Sequence, residues 1–265
     1  ITLDRCLQEF GWTEKSALQG RLIDGRYHGI ALGCYIEGGA SGPKENARLV
    51  LEAYGSVSVF VGSSAVGQGL ETVLAQIAAD ALEIPMDRIR GVFHGSTAYI
   101  HEGFGSYGSR SVVMGGSAIV VAATKLREAI CASAARRLGC APAAIEIADG
   151  GAARAPGGRT VALAELAGDG LSGEGSYASN KRTYSYGAHA AHVAVDPGTG
   201  HVALIDYMAV EDVGRIINPE TLHGQTVGAI VQGLGGTFLE HLVYDADGQL
   251  LTGSLADYLM PTMSD

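Results

Sequence analysis

Charged side chains are scarce in this chain, and cations are never clustered. Asp, Glu, Lys and Arg make up 17% of the 265 residues, and the formal net charge is −10. No run of Lys or Arg exceeds two residues, whereas nucleic-acid-binding domains carry a basic patch or stripe. We therefore expect no nucleic-acid partner. The low charged fraction also predicts that other protein covers part of the surface, as in an oligomer.

Long hydrophobic runs and targeting signals are also missing. The uncharged, mostly apolar stretch 111–124 is shorter than the roughly 20 residues that a bilayer-spanning helix needs. The first residues do not form a secretory signal. We expect no membrane span. The chain begins at Ile1 rather than Met, which predicts a fragment, or a processed or trimmed chain.

Cysteine is rare and unsuited to metal binding. The four cysteines, Cys6, Cys34, Cys131 and Cys140, form no C-x-x-C pair, so neither zinc nor an iron–sulfur cluster is expected within the chain. Reduced thiols in a cytoplasmic protein are the default expectation. No residue of the chain is predicted to ligate a metal directly.

Glycine is abundant, with 39 residues, about twice the usual share. Without a collagen-like period, this excess indicates tight turns and places where backbone approaches a ligand closely. Hydrophobic residues make up 47% of the chain, which is enough for a substantial buried core.

Hydrophobic periodicity predicts an α+β (mixed α/β) fold, with helices packed on mixed, largely antiparallel sheets. Helices are expected at 2–10, 68–82, 109–138, 161–166 and 218–238. Strands are expected at 29–37, 47–54, 57–61, 88–93, 188–196 and 201–210, with a hairpin over 242–251. Residues 95–108 and 149–159 are expected to be irregular. On the strand at 188–196, His189 and His192 should face opposite sides and make a poor metal pair.

Three short turns combine glycine with uncharged hydrogen-bonding side chains. They are Gly67-Gln68-Gly69, Gly105-Ser106-Tyr107-Gly108-Ser109-Arg110-Ser111 and Gly224-Gln225. A glutamine amide both donates and accepts hydrogen bonds, and a helix start offers free backbone N–H groups to a phosphate. Together the turns predict a cradle for a large, flat ligand with a phosphate tail.

Each turn taken alone has a simpler explanation. Gln68 could face solvent in a glycine turn, Ser109 could merely cap its helix, and Gln225 could be a polar residue between packed helices. The glycines of residues 103–108 match a dinucleotide fingerprint. We discount that match, because no expected strand directly precedes it and the acidic Glu128 falls within an expected helix.

In this order the motifs resemble those of the molybdopterin-binding large subunit of the xanthine dehydrogenase and aldehyde oxidase family. The glycine–serine turn is most similar to the carbon monoxide dehydrogenase branch. Besides the three turns, the similar segments are 76–80, 115–118, 186–189, 210–214 and 217–219. The resemblance covers nearly the whole chain, as a fragment that contains the second molybdopterin-binding domain.

The resemblance implies a molybdenum hydroxylase, which oxidises a small carbon substrate with oxygen from water. It implies cofactor contacts by Gly67, Gln68, Gly69, Gly108, Ser109, Arg110, Ser111 and Gln225. The cofactor would be molybdopterin with molybdenum, in its cytosine dinucleotide form, with copper only in a true carbon monoxide dehydrogenase. Electrons would leave through iron–sulfur and FAD subunits or domains.

The chain also departs from the family pattern. The family's large subunit is far longer, and its catalytic glutamate is expected beyond Asp265, so no catalytic residue is expected here. The Gly-Glu-Gly at 173–175 is out of the family's order and predicts only a strand or turn. We expect one domain over 1–265, with lobes at 1–150 and 151–265.

Two other hypotheses stay open. The chain could be a non-catalytic split subunit or scaffold domain, because its charge is low and catalytic segments are missing. It could instead be a phosphate- or nucleotide-binding protein, on the strength of the turn at 105–111 alone.

Overall fold

The computed structural model describes residues 1–148 and 151–263. Its helices are α1 (Thr2–Phe10), α2 (Trp12–Ser16), α3 (Leu70–Leu82), α4 (Ser117–Leu138), α5 (Leu163–Leu166) and α6 (Pro219–Phe238). Its strands are β1 (Leu22–Ile23), β2 (Arg26–Gly38), β3 (Glu45–Leu51), β4 (Val57–Val61), β5 (Ile89–Phe93), β6 (Glu146–Ala148), β7 (Ala152–Arg154), β8 (Thr160–Ala162), β9 (Ser172–Tyr177), β10 (Tyr184–Val195) and β11 (Val202–Asp212). The predicted class of helices on mainly antiparallel sheets is confirmed.

The chain divides into two compact units. The first comprises Ile1–Val66 and Leu70–Arg215, and the second comprises Gly67–Gly69 and the residues from Ile216 onward. This boundary differs from the expected lobes at 1–150 and 151–265. The reason is strand pairing: β9 and β10 follow residue 150, yet they pair with β3 and β2.

One sheet of the first unit has the order β1-β2-β10-β11, and all its pairs are antiparallel. Helix α1 covers one face, where Cys6 and Phe10 pack against Ala188 and Ala190. On the same face, His28 Nδ1 lies 2.7 Å from Nε2 of the buried His192.

The second sheet of this unit has the order β5-β4-β3-β9, with β4 and β5 parallel. The inward side chains of β3, such as Leu49, join the largest hydrophobic cluster together with Leu74 of α3 and Leu126 of α4. These residues are completely or almost completely buried. The strict alternation of burial along β3 explains why the sequence pattern predicted a strand here.

Helix α4 lies directly on the backbone of β9. A Cβ atom at Gly175 would overlap the Ala118 carbonyl and the Ala122 amide, and one at Gly173 would overlap the next turn of α4. Four helical residues rise about 6 Å and two strand residues about 6.6 Å, so both glycines meet equivalent positions of the helix. The Gly-Glu-Gly segment is therefore a strand, as predicted, and its glycines allow close packing.

Several predicted elements need correction. The loop expected at 149–159 contains β7 at Ala152–Arg154, which pairs with β6 and β8, while residues 149 and 150 lie outside the described residues. The helix expected at 161–166 is instead the end of β8 followed by α5. These strands are only three residues long, too short for periodicity to reveal them.

Two further differences concern the start of α4 and the segment after α6. The single helix expected at 109–138 begins with a π-helical segment, Ser111–Gly116, before α4. The hairpin expected at 242–251 is present but short: one bridge joins Tyr244 and Leu250, flanked by hydrogen bonds from Asp245 N to Gln249 O and from Leu251 N to Val243 O. Helix α6 begins and ends as expected. Across residues 1–148 and 151–263, no helix combines the length and apolar character required to cross a bilayer.

We predict that Gly175→Ala reduces the free energy of unfolding by about 3 kcal/mol or prevents folding, because the new methyl group would overlap the α4 backbone. Urea denaturation of the protein that contains this chain measures the change. The matched control is Gly33→Ala in β2, where a Cβ would meet no atom within 4 Å. Equal stability of the two variants would contradict the packing described here.

The buried histidine predicts a pH dependence of stability. Burial lowers the pKa of His192 below its usual 6.5, and His28 and Lys15 act in the same direction while Asp206 opposes them. The unfolded chain therefore binds this proton more tightly. Above pH 6.5 this histidine does not reduce the free energy of unfolding. Below pH 6.5 the free energy of unfolding should fall by up to about 1.4 kcal/mol per pH unit, until the folded-state pKa is reached.

Urea denaturation between pH 5 and 8 checks this dependence, and His192→Gln should flatten it. His201→Gln, at an exposed turn, should leave the wild-type slope unchanged. A slope that survives in His192→Gln would show that other groups cause the pH dependence.

Candidate functional site

The glycine–serine turn at 105–111 is held against the segment that follows β2. Ala40 N donates to Ser109 O at 3.2 Å, and Ser41 N donates to Gly108 O at 3.3 Å. Gly108 and Ser109 both have φ of +53°, and both are exposed. Ser109 is a non-glycine residue in the left-handed region, a conformation that costs energy and persists only where its surroundings impose it.

The peptide geometry of this turn decides which groups face outward. The described chain has no cis peptide bond, and in a trans peptide the N–H and C=O point in opposite directions. Because the carbonyls of Gly108 and Ser109 point toward Ala40 and Ser41, the N–H groups of Ser109 and Arg110 point away from them. The value of φ also changes sign, from +53° at Ser109 to −101° at Arg110. Successive N–H groups in such a turn can form an anion-binding nest.

The hydroxyl groups of this turn divide into two sets. Ser111 Oγ donates to Ser106 Oγ at 2.8 Å, and Ser106 Oγ donates to Ser64 O at 2.6 Å. The hydroxyls of Ser106 and Ser111 therefore connect the turn to the segment after β4. Ser109 lies at the exposed tip of the turn.

Arg110 faces the interior. Its side chain has no exposed surface, and neither has that of Glu45, with Arg110 Nη1 2.6 Å from Glu45 Oε2. The guanidinium also donates to backbone carbonyls of the first unit. The structure therefore gives Arg110 protein partners, whereas the resemblance implied cofactor contact. The turn is left with no charged side chain at its tip.

The second unit brings Gly67–Gly69 together with the start of α6. Gly67 and Gly69 have φ of +99° and +77°, and a Cβ atom at Gly69 would lie 2.7 Å from Thr221 Cγ2. Gln68 between them is half-buried. Helix α3 begins at Leu70, directly after Gly69, so the turn precedes the helix instead of forming the first turn expected at 68–82.

Helix α6 begins as its sequence predicts. Asn218 Oδ1 accepts a hydrogen bond from Thr221 N at 2.9 Å, and Pro219 occupies the first turn. Gln225 lies four residues after Thr221 and is exposed. Residues four apart share a helix face, so Gln225 and the residue against Gly69 lie along one side of α6.

The structure thus groups the predicted residues into two sets. Gly67, Gln68, Gly69 and Gln225 belong to the second unit, and Gly108, Ser109, Arg110 and Ser111 belong to the first. Apart from the interior Arg110, all carry neutral groups. Backbone N–H groups, a hydroxyl and two amides are suited to phosphate oxygens and to the donor and acceptor edge of a pterin. The donor chemistry therefore fits the cofactor that the resemblance implies.

Glu45 is a residue of this site that sequence reasoning missed. It is completely buried at the first position of β3. Its carboxylate accepts from Ser63 Oγ at 3.1 Å and Asn46 N at 3.0 Å, besides Arg110. A carboxylate on the apolar side of an alternating strand was the available signal, because a buried charge requires a partner.

Two ionisable side chains in or next to the irregular segment at 95–108 have protein partners. Glu102 in the glycine-rich segment forms an ion pair with Lys44, and His94 lies 3.2 Å from Glu71. The dinucleotide match at 103–108 lacks its strand, since β5 ends at Phe93.

His189 and His192 point to opposite faces of β10, as predicted. His189 Nδ1 lies 2.6 Å from Tyr207 Oη, whereas His192 contacts His28. Burial raises the pKa of Tyr207, and the carboxylate of Glu211 adds to this effect. The two histidines therefore do not share a ligand.

Comparison with known proteins gives a consistent result. A family model described as a molybdopterin cofactor-binding domain matches residues 5–265. The gamma subunit of the 6-hydroxypseudooxynicotine dehydrogenase complex of Paenarthrobacter nicotinovorans is 35% identical over 268 residues, covering 96% of this chain and 33% of that subunit. The chain therefore spans about a third of this relative's length.

Two solved structures share the fold. Quinoline 2-oxidoreductase from Pseudomonas putida 86 gives a TM-score of 0.85 at 31% identity, covering 99% of this chain and 37% of that one. A Cu,Mo-containing carbon monoxide dehydrogenase also gives 0.85, at 27% identity and with the same coverage. Both matches confirm the predicted domain fold.

We predict that Asn218→Ala destabilises the first turn of α6 by about 1 kcal/mol, because the amide of Thr221 loses its acceptor. Hydrogen exchange of the first-turn amides should accelerate about fivefold. Asn218→Ser keeps a capping oxygen and should exchange almost as slowly as the wild type. Unchanged exchange in Asn218→Ala would argue against this cap.

Proposed function

We propose that this chain, which belongs to the molybdopterin cofactor-binding domain family, holds part of the pterin cofactor of a molybdenum hydroxylase. The observation that carries the proposal is the Gly108–Ser109 tip. It is exposed and uncharged, and its two carbonyls are directed into the protein. Its outward N–H groups, with the Ser109 hydroxyl, would bind a phosphate of the cofactor.

The second unit would bind the pterin. Gln68 and Gln225 each present an amide that can donate and accept in one plane, which suits the edge of a pterin ring. Gly67 and Gly69 carry no side chain that would keep the backbone of Gln68 away from the ring. We assign the side chains of Arg110 and Ser111 no direct contact, because they have partners within the protein.

The whole protein would be an oxidoreductase. When bound, the molybdenum cofactor supplies the redox chemistry by which a carbon substrate gains oxygen from water. This chain's residues would bind and orient the cofactor. We propose that the general base lies outside this chain.

Three finer assignments belong to the same proposal. The nest at Ser109 and Arg110 favours a dinucleotide form of the cofactor, which we take to be the cytosine form, because it carries additional phosphate. Copper would be present only in an enzyme that oxidises carbon monoxide. Electron transfer would use iron–sulfur and FAD partners, and the four free thiols support a reducing compartment, the cytoplasm.

The proposal predicts molybdenum and pterin in the protein that contains this chain, when it is made in a cell that synthesises the cofactor. Metal analysis and fluorescence of the released, oxidised pterin measure both. Gln68→Ala and Gln225→Ala should each weaken cofactor retention by about fivefold, since each removes hydrogen bonds worth about 1 kcal/mol.

The control is Gln8→Ala, at an exposed position of α1, which should retain the cofactor as the wild type does. A wild-type protein without molybdenum and pterin would refute the proposal. Full retention by both glutamine variants would refute the assignment of these two residues.

A further inference from the structure

The left-handed tip at Gly108–Ser109 is surrounded by the hydrogen bonds of one side chain. Arg110 Nε donates to Ser41 O at 2.8 Å, and Nη1 donates to Gly105 O at 2.9 Å. Nη2 donates to Lys44 O. The guanidinium therefore holds Gly105, which precedes the tip, and Ser41, whose own N–H donates to Gly108 O at the tip.

Aromatic rings complete the surroundings of the guanidinium. Its Cζ lies 5.5 Å from the ring centroid of Phe104 and 5.4 Å from that of Tyr107. Both distances allow a cation–π interaction. Tyr107 is next to the tip, so the same cation orders the residue that precedes Gly108.

Glu45 keeps this cation in place. Its carboxylate accepts from Arg110, Ser63 and the amide of Asn46, so the buried negative charge has several donors. A buried ion pair is weak evidence for stability, since well-packed apolar side chains of similar volume often serve as well. What an apolar pair cannot do is bind the carbonyls of Ser41, Lys44 and Gly105.

We propose that Arg110 and Glu45 are positioning residues, which hold the Gly108–Ser109 tip in the conformation that binds the phosphate of the cofactor. The inference rests on the proposed function of the tip. Arg110 acts through the backbone, since its side chain is completely buried. The planar fork of Arg reaches several acceptors at once, which the single ammonium of Lys cannot do.

The test compares two variants in the complete protein that contains this chain. Arg110→Lys keeps the positive charge beside Glu45 but loses most of the carbonyl hydrogen bonds. The double variant Arg110→Met with Glu45→Met removes both charges and keeps an apolar interior. Arg127→Lys is the matched control, because Arg127 also donates to a carbonyl, of Leu82, and to a carboxylate, of Glu83.

The measurements are the rate of molybdenum and pterin loss on dilution and the melting temperature. We expect Arg110→Lys and the double variant to lose cofactor about 10- to 100-fold faster than the wild type, the range found when supporting partners of a site are removed. The double variant should melt close to the wild type, and Arg127→Lys should lose cofactor at the wild-type rate.

Cofactor loss at the wild-type rate in Arg110→Lys overturns the inference, even if the double variant does not fold. Equal acceleration in Arg127→Lys also overturns it, because the effect would then be general destabilisation. A wild-type protein that never contains the cofactor refutes the proposed function itself, and is thereby distinguished from failure of this inference.

Discussion

The ion pair between Glu45 and Arg110 lies where the start of β3, the segment after β4 and the turn at 105–111 meet. Two charges removed from water must find all their hydrogen bonds within the protein. They find them in backbone groups of Ser41, Lys44, Asn46 and Gly105 and in the hydroxyl of Ser63, which fixes the course of all three segments. The buried carboxylate also requires glycine at position 62, because a side chain there would overlap Glu45.

The close packing of α4 on β9 also supports the turn at 105–111. Gly173 and Gly175 let the helix approach the strand so closely that backbone meets backbone. The π-helical segment at Ser111–Gly116 connects α4 to the turn. Such segments often occur at functional sites. The exposed tip is therefore attached to the longest helix of a well-packed unit, and a rigid support of this kind suits a site that must bind without rearranging.

The two units differ in how they are stabilised. Both hydrophobic clusters of the described residues lie in the first unit, whereas Gly235 is the one buried residue of α6. Val227, Val231 and Phe238 of that helix are exposed. The amides that we propose as pterin ligands thus belong to the unit with less burial. Ligand binding would stabilise this unit, because a bound ligand stabilises the state that binds it.

The sequence by itself determined the long elements, the cap at Asn218 and the family, because these depend on local periodicity, capping chemistry and motif order. It did not reveal the three-residue strands β6, β7 and β8, the π-helix or the interior position of Arg110. Those depend on partners distant in the chain: Glu45 is 65 residues from Arg110, and β9 pairs with a strand more than a hundred residues earlier. Only the tertiary structure decided which donors of the turn face inward, since that choice follows from the long-range partners that accept them.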